Sequence, residues 1–256
     1  MTNPTLLLVA HGSRDPRFAA TASRIRDAVA RTLPEVHIRL SYLDLDEPLV
    51  GPALADISGD CVVVPLLFSA GYHSKVDLPA IIAEHAGTGR VVHQTDVIGT
   101  VSLAAALAER LGEAGISDQS DERVGVILTA VGSSDPAADR HVRRRAIELS
   151  TLLHRPVEVV FATKLGAREH RLRTAVRRLR AAGARTIAVS PYFLSAGLLT
   201  ERVERALDAL ADGVVVAGPL GAHRDVVDAV CHHYWLGATG GTDQDSLSAA
   251  TFVARA

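Results

Sequence analysis

The sequence predicts an α/β fold of two similar domains, each built on a parallel sheet, that arose by internal duplication. Two motifs recur along the 256-residue chain. The stretch LLVAHGSRDP at residues 7–16 aligns with ILTAVGSSDP at 127–136, and PLLFSAG at 65–71 aligns with PYFLSAG at 191–197. Because both motifs recur at nearly the same spacing, the two halves are expected to share one architecture.

Short apolar runs predict the strands of each half. The runs are continuously apolar rather than alternating, which is typical of parallel strands that helices cover on both faces. They lie at residues 5–10, 36–43, 61–69 and 90–95 in the first half, and at 124–129, 157–162, 186–194 and 214–217 in the second.

Helical stretches separate the strands. Residues 16–33 carry an apolar stripe at helical spacing, and Asp15 followed by Pro16 suits a helix N-cap and first turn. The other predicted helices of the first half are 50–57, 78–83 and 101–114. Strict alternation of strand and helix indicates right-handed βαβ units around a parallel sheet.

The domain limits follow from the repeat. We place an N-terminal domain at residues 1–116 and a C-terminal domain at 122–236, with a polar stretch at 115–122 between them. Residues 237–256 are predicted to be a tail that is weakly ordered or packed on the surface.

Composition excludes several classes of protein. Hydrophobic residues make up 48% and charged residues 22%, which is ordinary for a globular chain and unlike a disordered, collagenous or coiled-coil one. No apolar run approaches the length of a membrane span and no signal peptide pattern opens the chain, so a cytoplasmic protein without a membrane partner is expected. The arginine clusters are interpreted as solvated helix faces, not as a nucleic-acid surface.

Charge distinguishes the two halves, and the absence of certain motifs excludes further classes of protein. Residues 1–120 carry 9 basic and 14 acidic side chains, whereas residues 121–256 carry 18 and 15, so the second half is the more basic. The chain has no GxGxxG after a strand, no GxxxxGK[ST] and no GxSxG. Dinucleotide-binding proteins, P-loop proteins and hydrolases with a nucleophile turn are therefore excluded.

Three chemically active side chains follow the first three strands. His11 follows the first strand, Asp44 the second, and His73 lies in the loop after the third. Ligands of open α/β sheets bind beyond the carboxyl ends of the strands, and the first and third strands are neighbours in the common order. His11 and His73 are therefore expected to face each other. His223, at the start of the last helix, lies on the corresponding edge of the second half, where a positioning or substrate role is open.

The duplication separates scaffold from function. The second half keeps the Gly, Ser, Asp and Pro of the motif but has Val131 in place of His11 and Leu199 in place of His73. The turns themselves therefore do not need histidine. Two imidazoles near a carboxylate suit a borderline divalent metal and accept protons near neutral pH.

These motifs resemble the sirohydrochlorin chelatase family, the class II tetrapyrrole chelatases, in its long form with two fused units. The resemblance rests on VAHGSR at 9–14, Asp44, and PLLFSAGYH at 65–73. It implies two flavodoxin-like domains facing each other over a cleft. It also implies insertion of Fe²⁺, Co²⁺ or Ni²⁺ into sirohydrochlorin without ATP, a permanently bound cofactor or a partner subunit, by a monomer that acts as a pseudo-dimer.

The resemblance also implies roles for individual residues. His11 and His73 match the active-site pair and are the expected metal ligands, whereas Asp44 stands where the family commonly carries Glu and so reaches less far. Carboxylates of the tetrapyrrole are expected to bind a basic and backbone N–H set, which comprises Gly12, Ser13, Arg14 and Lys75. Ferrochelatase activity for sirohaem synthesis is favoured over cobaltochelatase activity for cobalamin synthesis. The alternative from another class is a non-catalytic tetrapyrrole or metal carrier.

Overall fold

The computed structural model describes residues 3–116 and 123–240, which form two four-stranded parallel sheets. The strands of the first sheet are β1 (Thr5–Ala10), β2 (Ile38–Tyr42), β3 (Cys61–Pro65) and β4 (Val92–Gln94). Those of the second are β5 (Val124–Ala130), β6 (Val157–Phe161), β7 (Thr186–Pro191) and β8 (Val215–Val216). The orders β2-β1-β3-β4 and β6-β5-β7-β8 match each other, which confirms the predicted pair of duplicated α/β units.

Eight α-helices connect these strands in the described residues. They are α1 (Pro16–Thr32), α2 (Val50–Ala55), α3 (Leu78–His85), α4 (Ala104–Glu113), α5 (Pro136–Leu153), α6 (His170–Ala181), α7 (Leu198–Asp208) and α8 (Arg224–Thr239). Helix α8 runs beyond the predicted start of the tail at 237, and residues 241–256 of that tail lie outside the described residues. The predicted linker is also outside them from 117 to 122.

The third strand of each half is shorter than its apolar run. The runs 61–69 and 186–194 leave the sheet after Pro65 and Pro191. Proline has no N–H to donate to a neighbouring strand, so it suits the last position of a strand. The apolar residues that follow belong to the loop at the carboxyl edge, where Leu66 N–H donates to Val9 O at 2.8 Å.

Strand β1 shows why both sheet faces are buried. Its alternate side chains enter different cores, because successive residues of a strand point to opposite faces. Leu6 and Leu8 join the central core between the halves, whereas Leu7 and Val9 pack with residues of α2 and α3 on the outer face. All four are 0% exposed. The continuous apolar run thus reflects a sheet covered on both sides.

The last helix of each half packs on the other half. Helix α4 lies against α5 and β7, and α8 lies against α1 and β3. On α8, Gly237 approaches β3 so closely that a Cβ atom there would lie 2.7 Å from Cγ1 of Val62. The Tyr234 hydroxyl donates to Pro4 O at 2.9 Å. This exchange interlocks the halves and brings their carboxyl edges together.

None of the helices within residues 3–116 and 123–240 combines the length and apolar character of a membrane span.

Candidate functional site

His11 lies in a turn that the backbone fixes on both sides. It follows β1 directly, and α1 begins at Pro16 with Asp15 as N-cap, whose carboxylate accepts the Arg17 N–H at 3.0 Å. Gly12 has φ 96°, and a Cβ atom there would lie 1.7 Å from the Asp44 carbonyl oxygen. Only glycine permits this conformation and this close approach, so the turn holds His11 rigidly at the carboxyl edge of the sheet.

His73 begins a π-helical turn, His73–Asp77, that precedes α3. The His73 carbonyl accepts the Leu78 N–H, which is the bond that defines this wider turn. His73 Nδ1 lies 2.7 Å from Oδ2 of Asp77. The contact orients the imidazole with its other nitrogen away from Asp77.

The two imidazoles meet, as the strand order predicts. His11 Nε2 and His73 Nε2 are 3.1 Å apart, and the rings are nearly perpendicular at 88°. An oxygen acceptor faces each Nδ1, since the Gly12 carbonyl lies 3.3 Å from His11 Nδ1 and Asp77 lies beside His73. With both protons on Nδ1, the two Nε2 lone pairs converge and are free to bind one cation; without a cation, a contact of this length requires a proton on one of the two Nε2 atoms.

Two Nε2 lone pairs this close repel each other unless they share a proton or a metal cation, so this arrangement suits a cation. With metal–nitrogen bonds of about 2.1 Å, the observed spacing corresponds to an N–metal–N angle of about 95°. One ion can therefore contact both imidazoles without movement of either ring. The described residues contain no group of three or more His, Cys, Asp and Glu placed to hold a metal.

Asp44 lies beside the His11 turn and is joined to it by a backbone hydrogen bond. The Asp44 N–H donates to His11 O at 3.0 Å, while the carboxylate Oδ1 accepts the Leu45 N–H at 2.8 Å. The carboxylate thus caps its own turn in this structure. A role for Asp44 toward the metal stays a prediction.

The residues predicted to bind substrate carboxylates surround the pair. The Ser13 N–H donates to Asp46 Oδ2 at 2.9 Å and is therefore occupied, while Arg14 is exposed. The Lys75 ammonium lies 2.9 Å from Asp135 Oδ2 in the second half. The Lys75 hydrogen bond is the main reason that the pKa of Asp135 lies below its usual range.

The second half repeats the scaffold but not the two histidines and the two aspartates of the first-half site. Thr163 N–H donates to Val131 O at 3.0 Å, as Asp44 donates to His11, so Thr163 occupies the position of Asp44. The N-cap is also repeated, since Asp135 Oδ1 accepts the Ala137 N–H at 2.8 Å. The repeat aligns the first-half residues His11, Asp44, His73 and Asp77 with Val131, Thr163, Leu199 and Val203.

A polar contact on each side of the pseudo-twofold axis joins the carboxyl edges of the two halves. Lys75 contacts the N-cap of α5, and at the position equivalent to Lys75 the second half has Glu201, whose Oε1 lies 2.6 Å from Nη2 of Arg17. The same Arg17 nitrogen lies 2.6 Å from Asp15, the N-cap of α1, and the Arg17 hydrogen bonds lower the pKa of Asp15. Beside this contact lies a cavity of about 540 Å³ that is lined by Arg17, Arg24, Arg110 and the loops at 194–196 and 218–222.

His223 makes its hydrogen bonds with α4 and the start of α8. Its Nδ1 accepts the Asp225 N–H at 3.2 Å as the N-cap of α8, and its Nε2 donates to Glu109 Oε2 at 3.1 Å. Its side chain is only 7% exposed. His223 therefore ties α8 to α4, and a substrate role for it stays untested.

Asp77 was not among the residues predicted for the site. A signal existed, because His73 and Asp77 are four residues apart and such pairs share one face of a helical turn. The spacing alone did not distinguish His73 and Asp77 from other polar pairs with the same spacing on exposed helix surfaces. The contact with His73 Nδ1 does so.

Fold and site together define a duplicated α/β protein with one imidazole pair at the carboxyl edge of its first half. The family model CbiX matches the chain twice, over residues 5–114 and 125–234. The chain belongs to the CbiX family. The two matches coincide with the two halves of the structure.

Characterised relatives agree with this assignment. The sirohydrochlorin cobaltochelatase of Priestia megaterium is 27% identical over 217 residues, which cover 78% of this chain and 67% of that protein. The sirohydrochlorin ferrochelatase of Bacillus subtilis (strain 168) is 25% identical over 234 residues, which cover 88% of each chain.

Solved structures share the fold. SirB from Bacillus subtilis with Fe³⁺ superposes with a TM-score of 0.76 at 24% identity and covers 96% of this chain and 98% of that one. The sirohydrochlorin chelatase SirB from Bacillus subtilis subspecies spizizenii, in complex with cobalt, gives 0.74 at 22% identity, over 93% and 96% of the two chains.

Proposed function

We propose that the protein is a sirohydrochlorin chelatase that inserts a divalent metal ion into the macrocycle, with Fe²⁺ as the physiological metal. The observation that carries this proposal is the 3.1 Å approach of His11 Nε2 and His73 Nε2 with an oxygen acceptor behind each ring. Membership of the CbiX family and the activities named for the Bacillus and Priestia relatives support the substrate.

Metal insertion requires groups that hold the incoming ion and groups that accept the displaced protons, and the imidazole pair suits both requirements. The incoming ion is held by His11 and His73 while its other coordination positions keep water or meet the macrocycle nitrogens. Insertion replaces two pyrrole N–H protons by the metal ion. As the ion leaves, each Nε2 regains a free lone pair, so the two imidazoles are able to accept the two protons. Asp44, beside the His11 turn, is the further candidate for metal or proton binding.

The polycarboxylate rim of sirohydrochlorin requires cationic groups around the pair. Gly12, Ser13, Arg14 and Lys75 remain our candidates on the first half. The Ser13 N–H must leave Asp46 to take part, whereas Lys75 need only exchange the Asp135 carboxylate for one of the substrate. Arg17, Arg24 and Arg110, which line the cavity beside the Arg17–Glu201 contact, are further candidates.

Co²⁺ is the second candidate metal, because the Priestia relative is named a cobaltochelatase. A pair of imidazoles binds several borderline divalent ions, so the ligand set does not select between iron and cobalt. We further propose that the protein acts in the cytoplasm as a monomer, since the fused halves already form the pseudo-dimer. Native mass spectrometry at micromolar concentration is expected to give a single chain, and a stable dimer would contradict the monomer.

Anaerobic spectrophotometry tests the function. The protein is mixed with sirohydrochlorin and Fe²⁺, Co²⁺ or Ni²⁺, and the rate of metallation is compared with the spontaneous rate. His11→Ala and His73→Ala are expected to lose about a hundredfold or more in rate, as is common for loss of a positioned acid–base or ligand group. Val131→Ala and Leu199→Ala, at the equivalent positions of the second half, are the matched controls and are expected to retain the rate.

Three outcomes contradict parts of this proposal. No acceleration by the wild-type protein with any of the three metals would refute the enzyme and favour a carrier. Equal rates for the wild type and both histidine variants would refute the site. Faster turnover with Co²⁺ than with Fe²⁺ at equal free metal would replace the ferrochelatase by a cobaltochelatase.

A further inference from the structure

The contact between His73 and Asp77 is the feature that the proposed insertion chemistry does not yet use. Asp77 Oδ2 lies 2.7 Å from Nδ1 of His73, on the side opposite the His11 contact. Both side chains are partly open to solvent, 51% for His73 and 37% for Asp77. An ion pair this exposed contributes little to folding stability, so the contact calls for another explanation.

The second half shows that the fold does not need this contact. Helix α7 begins directly at Leu198, and the positions of His73 and Asp77 are taken by Leu199 and Val203. Val203 is 0% exposed and packs in the outer core of the second half. The carboxylate and the π-helical turn thus occur together in the half that holds the imidazole pair.

We propose that Asp77 is the positioning residue for His73, an inference that rests on the proposed function. Its carboxylate accepts the Nδ1 proton of His73 and thereby holds the ring in the tautomer whose Nε2 carries no proton and is free to bind a cation beside His11 Nε2. Without this acceptor the proton is free to move to Nε2, which would block the metal-binding nitrogen. Acceptors behind a ligating imidazole typically change metal affinity by about 10–100-fold.

Two substitutions of Asp77 separate the effect of its hydrogen-bond acceptor from the effect of its negative charge. Asp77→Asn keeps an oxygen that accepts the Nδ1–H, whereas Asp77→Ala removes it. The matched control is Asp27→Ala, which removes an exposed carboxylate that contacts only Arg26 among the contacts found in the described residues. Thermal unfolding of all variants monitors folding.

The first readout is the tautomer of His73 in the metal-free protein, measured by long-range ¹H–¹⁵N correlation and assigned with His73→Gln. We expect Nδ1–H in the wild type, Asp77→Asn and Asp27→Ala, and a shift toward Nε2–H in Asp77→Ala. The second readout is Co²⁺ affinity from the visible absorption of the bound ion. We expect about a 10–100-fold loss in Asp77→Ala, a loss of at most about tenfold in Asp77→Asn and no change in Asp27→Ala.

The inference is overturned if Asp77→Ala keeps the Nδ1–H tautomer and binds Co²⁺ within about twofold of the wild type. It is also overturned if Asp77→Asn loses the tautomer as fully as Asp77→Ala does. Failure of the proposed function looks different: the wild type and His73→Ala would then bind Co²⁺ equally, while the tautomer measurement would still decide the role of Asp77.

Discussion

Three glycines with positive φ test, in graded steps, which contacts fix the turn that carries His11. Gly12, Gly132 and Gly59 have φ values of 96°, 90° and 87°, so alanine is strained at each by about 1–3 kcal/mol. They differ in what a Cβ atom would meet. At Gly59 nothing in the described residues lies within 4 Å, and at Gly132 the nearest atom is a side-chain oxygen of Thr163 at 2.8 Å.

Gly12→Ala meets the Asp44 carbonyl oxygen at 1.7 Å, which is backbone and cannot rotate away. Relief requires a backbone shift of more than about 1 Å, and that shift would break two hydrogen bonds of Asp44, its N–H to His11 O and its carbonyl from Asp46 N–H. At about 0.5–1.5 kcal/mol each, they add about 1–3 kcal/mol to the strain. We expect a total loss of about 2–6 kcal/mol for Gly12→Ala, more than for Gly132→Ala, and about 1–3 kcal/mol for Gly59→Ala.

Urea unfolding followed by circular dichroism measures the three free energies, and metallation rates are measured on the same samples. Gly12→Ala is expected to lose most of its activity under conditions where it is still folded, because the turn displaces His11. Gly59→Ala is expected to keep full activity. A Gly12→Ala variant as stable and active as Gly59→Ala would refute our explanation of the turn.

Two further experiments test the contacts between the halves. Gly237→Ala places a Cβ atom against Val62 and is expected to destabilise the fold by about 1–3 kcal/mol in urea unfolding, whereas Gly112→Ala, in α4 with open space around it in the described residues, is expected to stabilise it by about 0.5–1 kcal/mol. Equal effects would contradict the packing of α8 on β3. Lys75 lowers the pKa of Asp135, so this pair stabilises the folded state. Its contribution to folding stability is complete at pH values above the ordinary pKa of the carboxyl group, and it is lost as the pH falls through the lowered pKa. The urea midpoint is therefore expected to fall more between pH 6 and pH 3 in the wild type than in Lys75→Met, and an equal fall would contradict the coupling.

The sequence predicted the parts of the molecule that depend on local patterns. The repeat, the apolar runs and the Asp15–Pro16 cap identified both sheets and the start of α1, and strand order then brought His11 and His73 together. Each of these signals is local in the chain, or follows from a general rule of parallel sheets. The position of the imidazole pair required nothing more.

Other features depend on contacts that periodicity does not encode. The apolar faces of α4 and α8 indicate burial, but they do not specify which sheet each helix covers, and the structure exchanges them. The partner of Asp44 is its own neighbour Leu45, and the π-helical turn at His73 leaves no distinct sequence signature. Such features are decided by packing between distant segments.

The exchange of α4 and α8 also explains why the second half is needed although it lacks the imidazole pair. Because each half completes its core with a helix of the other, the two cannot separate, and the second half remains necessary even without a site of its own. In the proposed reaction one macrocycle needs one point of metal entry, so a second imidazole pair would compete for metal without adding an insertion site. The second half instead contributes the loops at 194–196 and 218–222, which close the arginine-lined cavity together with Arg17, Arg24 and Arg110 of the first half. The basic side chains of this cavity thus come from the first half and part of its wall from the second, although the second half carries more of the basic residues of the chain.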